Sequence, residues 1–224
     1  MGALILLSDF TENDNVNLKR KVQEMFLDKK YTVSYIPSMS DRKLKYFEKA
    51  KMELGKYGNF HFKYFDIDDF CNVAKIEKIF KSDIIYLSGG NTYYFLNNLK
   101  KRYLITRLRK YVENGGHIIG LSAGAILMSK DISSAKFGDK DIVGLSDLSS
   151  LALVDFDFMP HWNKDSIYLD DLKDYSKSTG NTVYACNDGD GIIVMENKVH
   201  FYGDVKMIKQ GEMMQNKEKD HIII

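Results

Sequence analysis

The chain has 224 residues, 44% of them hydrophobic, and its 32 basic and 31 acidic side chains leave a formal net charge of +1. That length and composition suit one domain with a sizeable core. The near-balance of charge excludes the electrostatic footprint of a nucleic-acid or membrane-surface binder, and no apolar run is long enough to cross a bilayer.

The elements alternate from the start. Ala3–Ser8 is a continuous apolar run, the mark of a strand covered on both faces. The opening segment Met1–Asp9 is short and lacks a basic lead-in, so it reads as a core strand and not as a signal peptide. Asn13–Lys30 has helical spacing through Val16, Val22, Met25 and Phe26. Tyr31–Pro37 is a second strand. Asp41–Tyr57 is a charged amphipathic helix with Leu44, Phe47 and Leu54 facing inward. Phe60–Ile67 is a third strand, Val73–Lys81 a short helix and Asp83–Leu87 a fourth strand, ending in Ser88-Gly-Gly-Asn-Thr92. Tyr93–Val112 is helical with a break near Tyr103, and Asn114-Gly115-Gly116 stops it. A strand at His117–Ile119 follows. Strands alternating with helices predict an α/β fold with a mainly parallel sheet, helices on both faces and a site at the carboxyl ends of the strands.

The later part is less regular. Lys130–Ser150 is polar and reads as a surface excursion. Ala152–Phe158 regains strand character and delivers Met159-Pro160-His161-Trp162. Asp165–Thr179 is helical, Val183–Cys186 is a short strand, and Gly191–Met195 with Lys198–Tyr202 forms a hairpin around Glu196-Asn197. Residues 217–224 are expected to be a loose tail on a single domain spanning 1–224. Cys71 and Cys186 match no metal or redox spacing, so they read as free buried thiols in a reducing cytoplasm.

Chemistry concentrates at Gly120-Leu121-Ser122-Ala123-Gly124. This G-x-S-x-G follows a buried strand and precedes helix-forming residues, the context in which the pattern makes a nucleophile elbow. The turn needs small neighbours, and the N–H of Ala123 then faces the position of an oxyanion. A serine hydroxyl needs a base and a group to orient that base. His61 lies within a strand, His117 at the wrong end of the elbow strand, His200 in the hairpin and His221 in the tail. His161 alone stands just past a strand end beside a turn. For the acid, Asp188 and Asp190 stand in the loop Asn187-Asp-Gly-Asp-Gly191, and Asp139 in the excursion is an alternative. Gly90, after a strand and before a helix, is the candidate second oxyanion donor, with Gly89 and Asn91 beside it as substrate contacts. The loop lacks the spacing of a phosphate-binding motif. An esterase order of serine, acid and histidine would require His200 or His221, in less favourable places.

Tyr86-Leu-Ser-Gly-Gly-Asn-Thr92, Gly120-Leu-Ser-Ala-Gly-Ala125 and Met159-Pro-His161, in this order, resemble the dipeptidase E (aspartyl dipeptidase) family of serine peptidases, to which cyanophycinases are related. The resemblance covers nearly the whole chain. It implies a flavodoxin-like, three-layer fold similar to class I glutamine amidotransferases, with serine in place of their cysteine. It also implies Ser122 as nucleophile, His161 as base, and Gly90 and Ala123 as oxyanion donors. The third member stays open among Asp188, Asp139 and Asp190. The implied activity is removal of an N-terminal aspartate from short peptides. No cofactor or metal is expected, and a homodimer is compatible with this reading. The alternatives are a small acyl hydrolase using the same elbow, and a catalytically inactive binding module of the same fold.

Overall fold

The structure, a computed structural model, describes residues 1–68, 73–216 and 221–223. Strands β1 (Leu4–Leu7), β2 (Tyr31–Ile36), β3 (Phe60–Tyr64), β4 (Ile84–Leu87) and β5 (His117–Leu121) lie side by side in the order β1-β5-β4-β2-β3, all parallel. Such pairing requires crossovers, and helices supply them: α1 (Val16–Met25), α2 (Lys45–Gly55), α3 (Val73–Ile79), α4 (Thr92–Lys101) and α5 (Leu104–Glu113). Beyond β1 the same sheet gains the hairpin β8 (Gly191–Met195) and β9 (Lys198–Tyr202), both antiparallel to their neighbours.

The period of two in each strand divides the core into two layers. Leu4, Leu6, Ile85, Leu87 and Ile118 pack with Phe95, Leu99, Leu104 and Leu108 of α4 and α5. Ile5, Leu7, Ile84, Tyr86 and Ile119 point the other way, onto Leu18, Val22, Phe47 and Leu54 of α1 and α2. The result is a three-layer α/β sandwich.

Several elements differ from the sequence expectation. The first helix is shorter than Asn13–Lys30, because the Asn15 side chain caps it by accepting from the N–H groups of Asn17 and Leu18. Val16 is therefore on its outer surface and exposed. Leu44 does not face inward: it precedes α2 with φ 53° and is exposed. Only Asp157–Met159 of the expected strand at 152–158 is extended, forming β6. The helix at 165–179 is two pieces, α7 (Trp162–Asp165) and α8 (Leu169–Thr179), joined by a 3-10 turn over Ser166–Tyr168.

Residues 130–150 are more than a surface excursion. A 3-10 turn at Ser133–Phe137 buries Ile132, Ala135 and Phe137 in the core. A second sheet was not foreseen. In it β6 pairs in parallel with β7 (Val183–Ala185), and β10 (Val205–Lys209) and β11 (Glu212–Asn216) extend it antiparallel. Within the expected loose tail, His221–Ile223 forms strand β12 on the edge of β9, and the remaining positions lie outside the described residues. Cys71 also lies outside them. Cys186 is a free thiol, buried, and its pKa is raised well above the ordinary range by that burial.

Candidate active site

Strand β5 stops at Leu121, and Ser122 turns the chain with φ 49° and ψ −108° into the short helix α6 (Ala123–Ile126). A non-glycine residue with positive φ is strained, and the neighbours keep it there. The Ser122 N–H donates to the Leu7 carbonyl at 2.9 Å, and Gly124 N–H donates to Ser88 at 3.1 Å. The flanking glycines have a steric cause. A Cβ on Gly120 would lie 2.4 Å from the Gly124 oxygen, and one on Gly124 would lie 2.2 Å from the Leu87 oxygen. The G-x-S-x-G pattern thus records backbone in contact with backbone.

The Ser122 Oγ is 2.9 Å from His161 Nε2. His161 stands in the left-handed region (φ 60°) at the start of α7, after β6 and Pro160. Its loop is held to that of β7: Cys186 N–H donates to the Met159 oxygen at 2.9 Å, and Trp162 N–H to the Cys186 oxygen at 3.0 Å. On the other side of the ring, Nδ1 is 2.7 Å from Asp188 Oδ1. Serine, histidine and aspartate thus form one unbroken line of hydrogen bonds.

The two competing carboxylates are occupied elsewhere. Asp139 accepts from the N–H and hydroxyl of Thr92 at 2.8 and 2.6 Å, fastening the 130–150 segment to the start of α4. Asp190 turns toward the chain after β9, where it accepts from the Asp204 N–H at 3.1 Å. His200 lies on β9 opposite His221 of β12 in the antiparallel register. That pair sits at the sheet edge, three and four strands from the elbow strand β5, so an esterase order through either histidine has no geometric support.

Three further groups at this acid were not read from the sequence. Ser8, fully buried at the end of β1, donates from Oγ to Asp188 Oδ1 at 2.9 Å and accepts from the His161 N–H at 2.7 Å. One hydroxyl therefore ties the acid to the loop of the base. Lys164, one α7 turn after His161, places Nζ 2.5 Å from Asp188 Oδ2. Asn163 Oδ1 accepts from the Asp188 N–H at 3.0 Å. Burial alone would raise the Asp188 pKa, but hydrogen bonds from Lys164, His161 and Ser8 outweigh it and hold the carboxyl below its ordinary value. The available signal was position: Ser8 ends a buried strand at the carboxyl edge of the sheet, where parallel sheets place their sites.

The candidate oxyanion groups flank Ser122. Ala123 carries the first N–H of α6, with no carbonyl inside that helix to receive it. Gly90 adopts φ 131°, and a Cβ there would lie 2.1 Å from Ser38 Oγ, so glycine is required. Gly89 and Asn91 line the cleft beside it. The Asn91 side chain is engaged in structure, its Oδ1 accepting from Tyr94 N–H and its Nδ2 donating to the Lys140 oxygen, both at 2.9 Å.

Two cavities meet at Ser122, Gly90 and His161. One, of 390 Å³, opens between the β2, β4 and α2 ends. The other, of 310 Å³, lies under the His161 loop and the 130–150 segment, walled by Ser134, Gly138, Asp139, Met159, Pro160 and Asp165. Among the described residues, no group of three or more histidine, cysteine or carboxylate side chains could hold a metal ion, and no helix is long and apolar enough to cross a membrane.

Comparison with known proteins places these features in context. The model of peptidase family S51 matches residues 4–202. An uncharacterized peptidase of Listeria innocua is 30% identical over 177 residues, covering 75% of this chain and 82% of its own length. An uncharacterized peptidase of Listeria monocytogenes is 38% identical over 88 residues, and one of Pasteurella multocida 34% identical over 95. Those two matches span 38% and 41% of this chain but only 43% and 46% of the relatives, so under half of each is covered. A crystal structure of a candidate peptidase E from Listeria monocytogenes superposes with a TM-score of 0.73 at 27% identity, covering 90% of this chain and 98% of that one.

Proposed function

The chain belongs to peptidase family S51, and from that premise we propose that it is a serine exopeptidase hydrolysing short peptides. The observation that carries the reading is the line Ser122 Oγ–His161 Nε2 at 2.9 Å and His161 Nδ1–Asp188 Oδ1 at 2.7 Å. With Nδ1–H directed at a carboxylate, Nε2 is free to accept the serine proton.

Ser122 Oγ attacks the scissile carbonyl as His161 takes its proton. The oxygen of the tetrahedral intermediate is held by the N–H groups of Ala123 and Gly90. His161 then hands the proton to the leaving amine, and the C–N bond breaks. Water, deprotonated by His161, attacks the acyl-enzyme and releases the acid. The carboxylate of Asp188 keeps the imidazole in the required tautomer and stabilises its cationic form. The modest volumes of the two cavities, 390 and 310 Å³, favour short substrates.

Purified protein is incubated with a dipeptide library and with p-nitrophenyl esters, with Ser122→Ala as control. The expected result is serine-dependent dipeptide hydrolysis, falling by several powers of ten in the variant while its melting curve is preserved. Full activity in Ser122→Ala, or turnover of esters alone, would overturn the reading.

A further inference from the structure

Asp188 is held from three positions of one helical turn. His161 Nδ1 lies 2.7 Å from its Oδ1, Lys164 Nζ lies 2.5 Å from its Oδ2, and Asn163 Oδ1 accepts from its N–H at 3.0 Å. These residues open α7, and positions three apart on a helix are neighbours. The base and the ammonium therefore reach the two oxygens of the same carboxylate.

This pair differs from an ordinary surface contact. Ion pairs between two exposed side chains are worth little, because water screens both charges. Here Lys164 is 61% exposed but Asp188 only 4%. Ser8 and His161 both go to Oδ1, so among the described side chains Lys164 alone holds Oδ2. The ammonium keeps its proton: the contact with Asp188 raises the Lys164 pKa, and the charges of Asp9 and Asp165 add to that effect.

The consequence falls on the ring. A carboxylate against an imidazole favours the cationic form. A base needs the opposite, because Nε2 must be without a proton before it can take one from Ser122. Other acids surround the ring and push it the same way. His161 shares cavity walls with Asp9, Asp41, Asp139 and Asp165, and with one further cation, Lys49, whose Nζ is 4.0 Å from Asp9 Oδ1. Lys164 is the cation in contact with Asp188 itself. Its permanent charge offsets part of the carboxylate's pull on the imidazole and keeps the carboxylate in one orientation.

Resting on the serine-peptidase reading, we infer that Lys164 is a positioning residue whose ammonium fixes the Asp188 carboxylate and tempers its charge, setting the lowest pH at which His161 can act as the base.

The test is kcat and KM between about pH 5 and 9, on one dipeptide that the wild type hydrolyses, for Lys164→Met, Lys164→Gln and Lys164→Arg. In Lys164→Met the acid side of the kcat/KM profile should move to higher pH by about half a unit to one unit, the small end of the range for a neighbouring charge because this one is solvated. On that side the rate then falls about threefold to tenfold. A smaller loss, carried by kcat and not by KM, is expected on the alkaline plateau. Lys164→Gln keeps a polar head without the charge and should behave like Lys164→Met. Lys164→Arg keeps the charge and should restore the wild-type acid side. Melting curves at the same pH values check that each variant is folded. An acid side unmoved in Lys164→Met, a loss of equal size at every pH, or a Lys164→Gln profile matching the wild type overturns this inference and leaves the peptidase reading standing. A wild-type protein that hydrolyses nothing in the dipeptide library overturns the peptidase reading and this inference with it.

Discussion

Ser8→Ala tests the site through a group that touches neither cavity. The hydroxyl donates to Asp188 Oδ1 at 2.9 Å and accepts from the His161 backbone N–H at 2.7 Å. Removing it has two effects of different kinds. The His161 N–H is left unpaired in a half-buried loop, which costs about 1–3 kcal/mol of stability. For a chain of this size that lowers the melting temperature by on the order of 5 °C. The carboxylate also loses one of the side-chain donors fixing its orientation, a hydrogen bond to a charged group worth roughly 1.5–3 kcal/mol. If that loss falls on the imidazole's alignment, kcat drops about 10- to 100-fold while KM changes by less than about twofold. The sign of the pH effect follows from the depressed Asp188 pKa. Stability and the active form are present above the ordinary carboxylate pKa and are lost as pH falls through the lowered value. Taking away a donor raises that value, so the acid side of both the rate profile and the melting profile moves to higher pH. Steady-state kinetics and thermal denaturation across pH measure all three quantities. A Ser8→Ala enzyme with wild-type kcat and an unmoved acid side would refute the claim that this hydroxyl positions the acid and the base.

Asp188→Asn should lower kcat by roughly two to four powers of ten, whereas Asp139→Asn and Asp190→Asn should retain most of it; equal losses from all three would contradict the geometry. Gly124→Ala should destabilise by about 3 kcal/mol or more in denaturant titrations, since its Cβ meets the Leu87 carbonyl at 2.2 Å. Gly55→Ala, where nothing lies within 4 Å, should be neutral or stabilise by up to about 1 kcal/mol. His117 Nδ1 accepts from the Ala3 N–H at 3.0 Å, and burial lowers its pKa, so the fold holds it neutral. Its contribution is present above pH about 6.5 and lost as pH falls through the lowered value. The stability gap between wild type and His117→Gln should therefore narrow between pH 7 and 5 in chemical denaturation, and a constant gap would sink this assignment.

What could be read from the sequence depended on how many residues repeat a signal. Strands β1, β4 and β5 carry apolar residues in a row, β2 and β3 alternate apolar with polar residues, and the elbow carries two glycines fixed by backbone contact, so these were legible. The second sheet was not. Its strands β6 and β7 have three residues each, too few to show a period, and β10 interleaves Lys206 and Lys209 with Val205 and Ile208 on a half-exposed surface. Leu44 kept the helical spacing but not the helix, because the Asp41 carboxylate receives the N–H groups of Lys45, Tyr46 and Phe47 and α2 begins four residues beyond it.

The choice among the acids could not be made from the chain alone, and the reason is the second sheet itself. Asp188 and Asp190 share one glycine-rich loop, and both would look equally placed to serve a histidine. The β7 strand that delivers the loop pairs in parallel with the β6 strand that delivers His161, so the residues just past their ends face each other. Asp188 comes first past β7 and meets the imidazole. Two residues on, Ser8 N–H donates to the Asp190 oxygen at 3.3 Å, and the chain joins β1 by entering β8. Asp190 then faces the turn after β9, where a Cβ on Gly203 would lie 1.9 Å from its Oδ1. One strand pairing that the sequence hides thus decides which carboxylate meets the imidazole, and β1, which leads into Ser8, is common to both halves of the site.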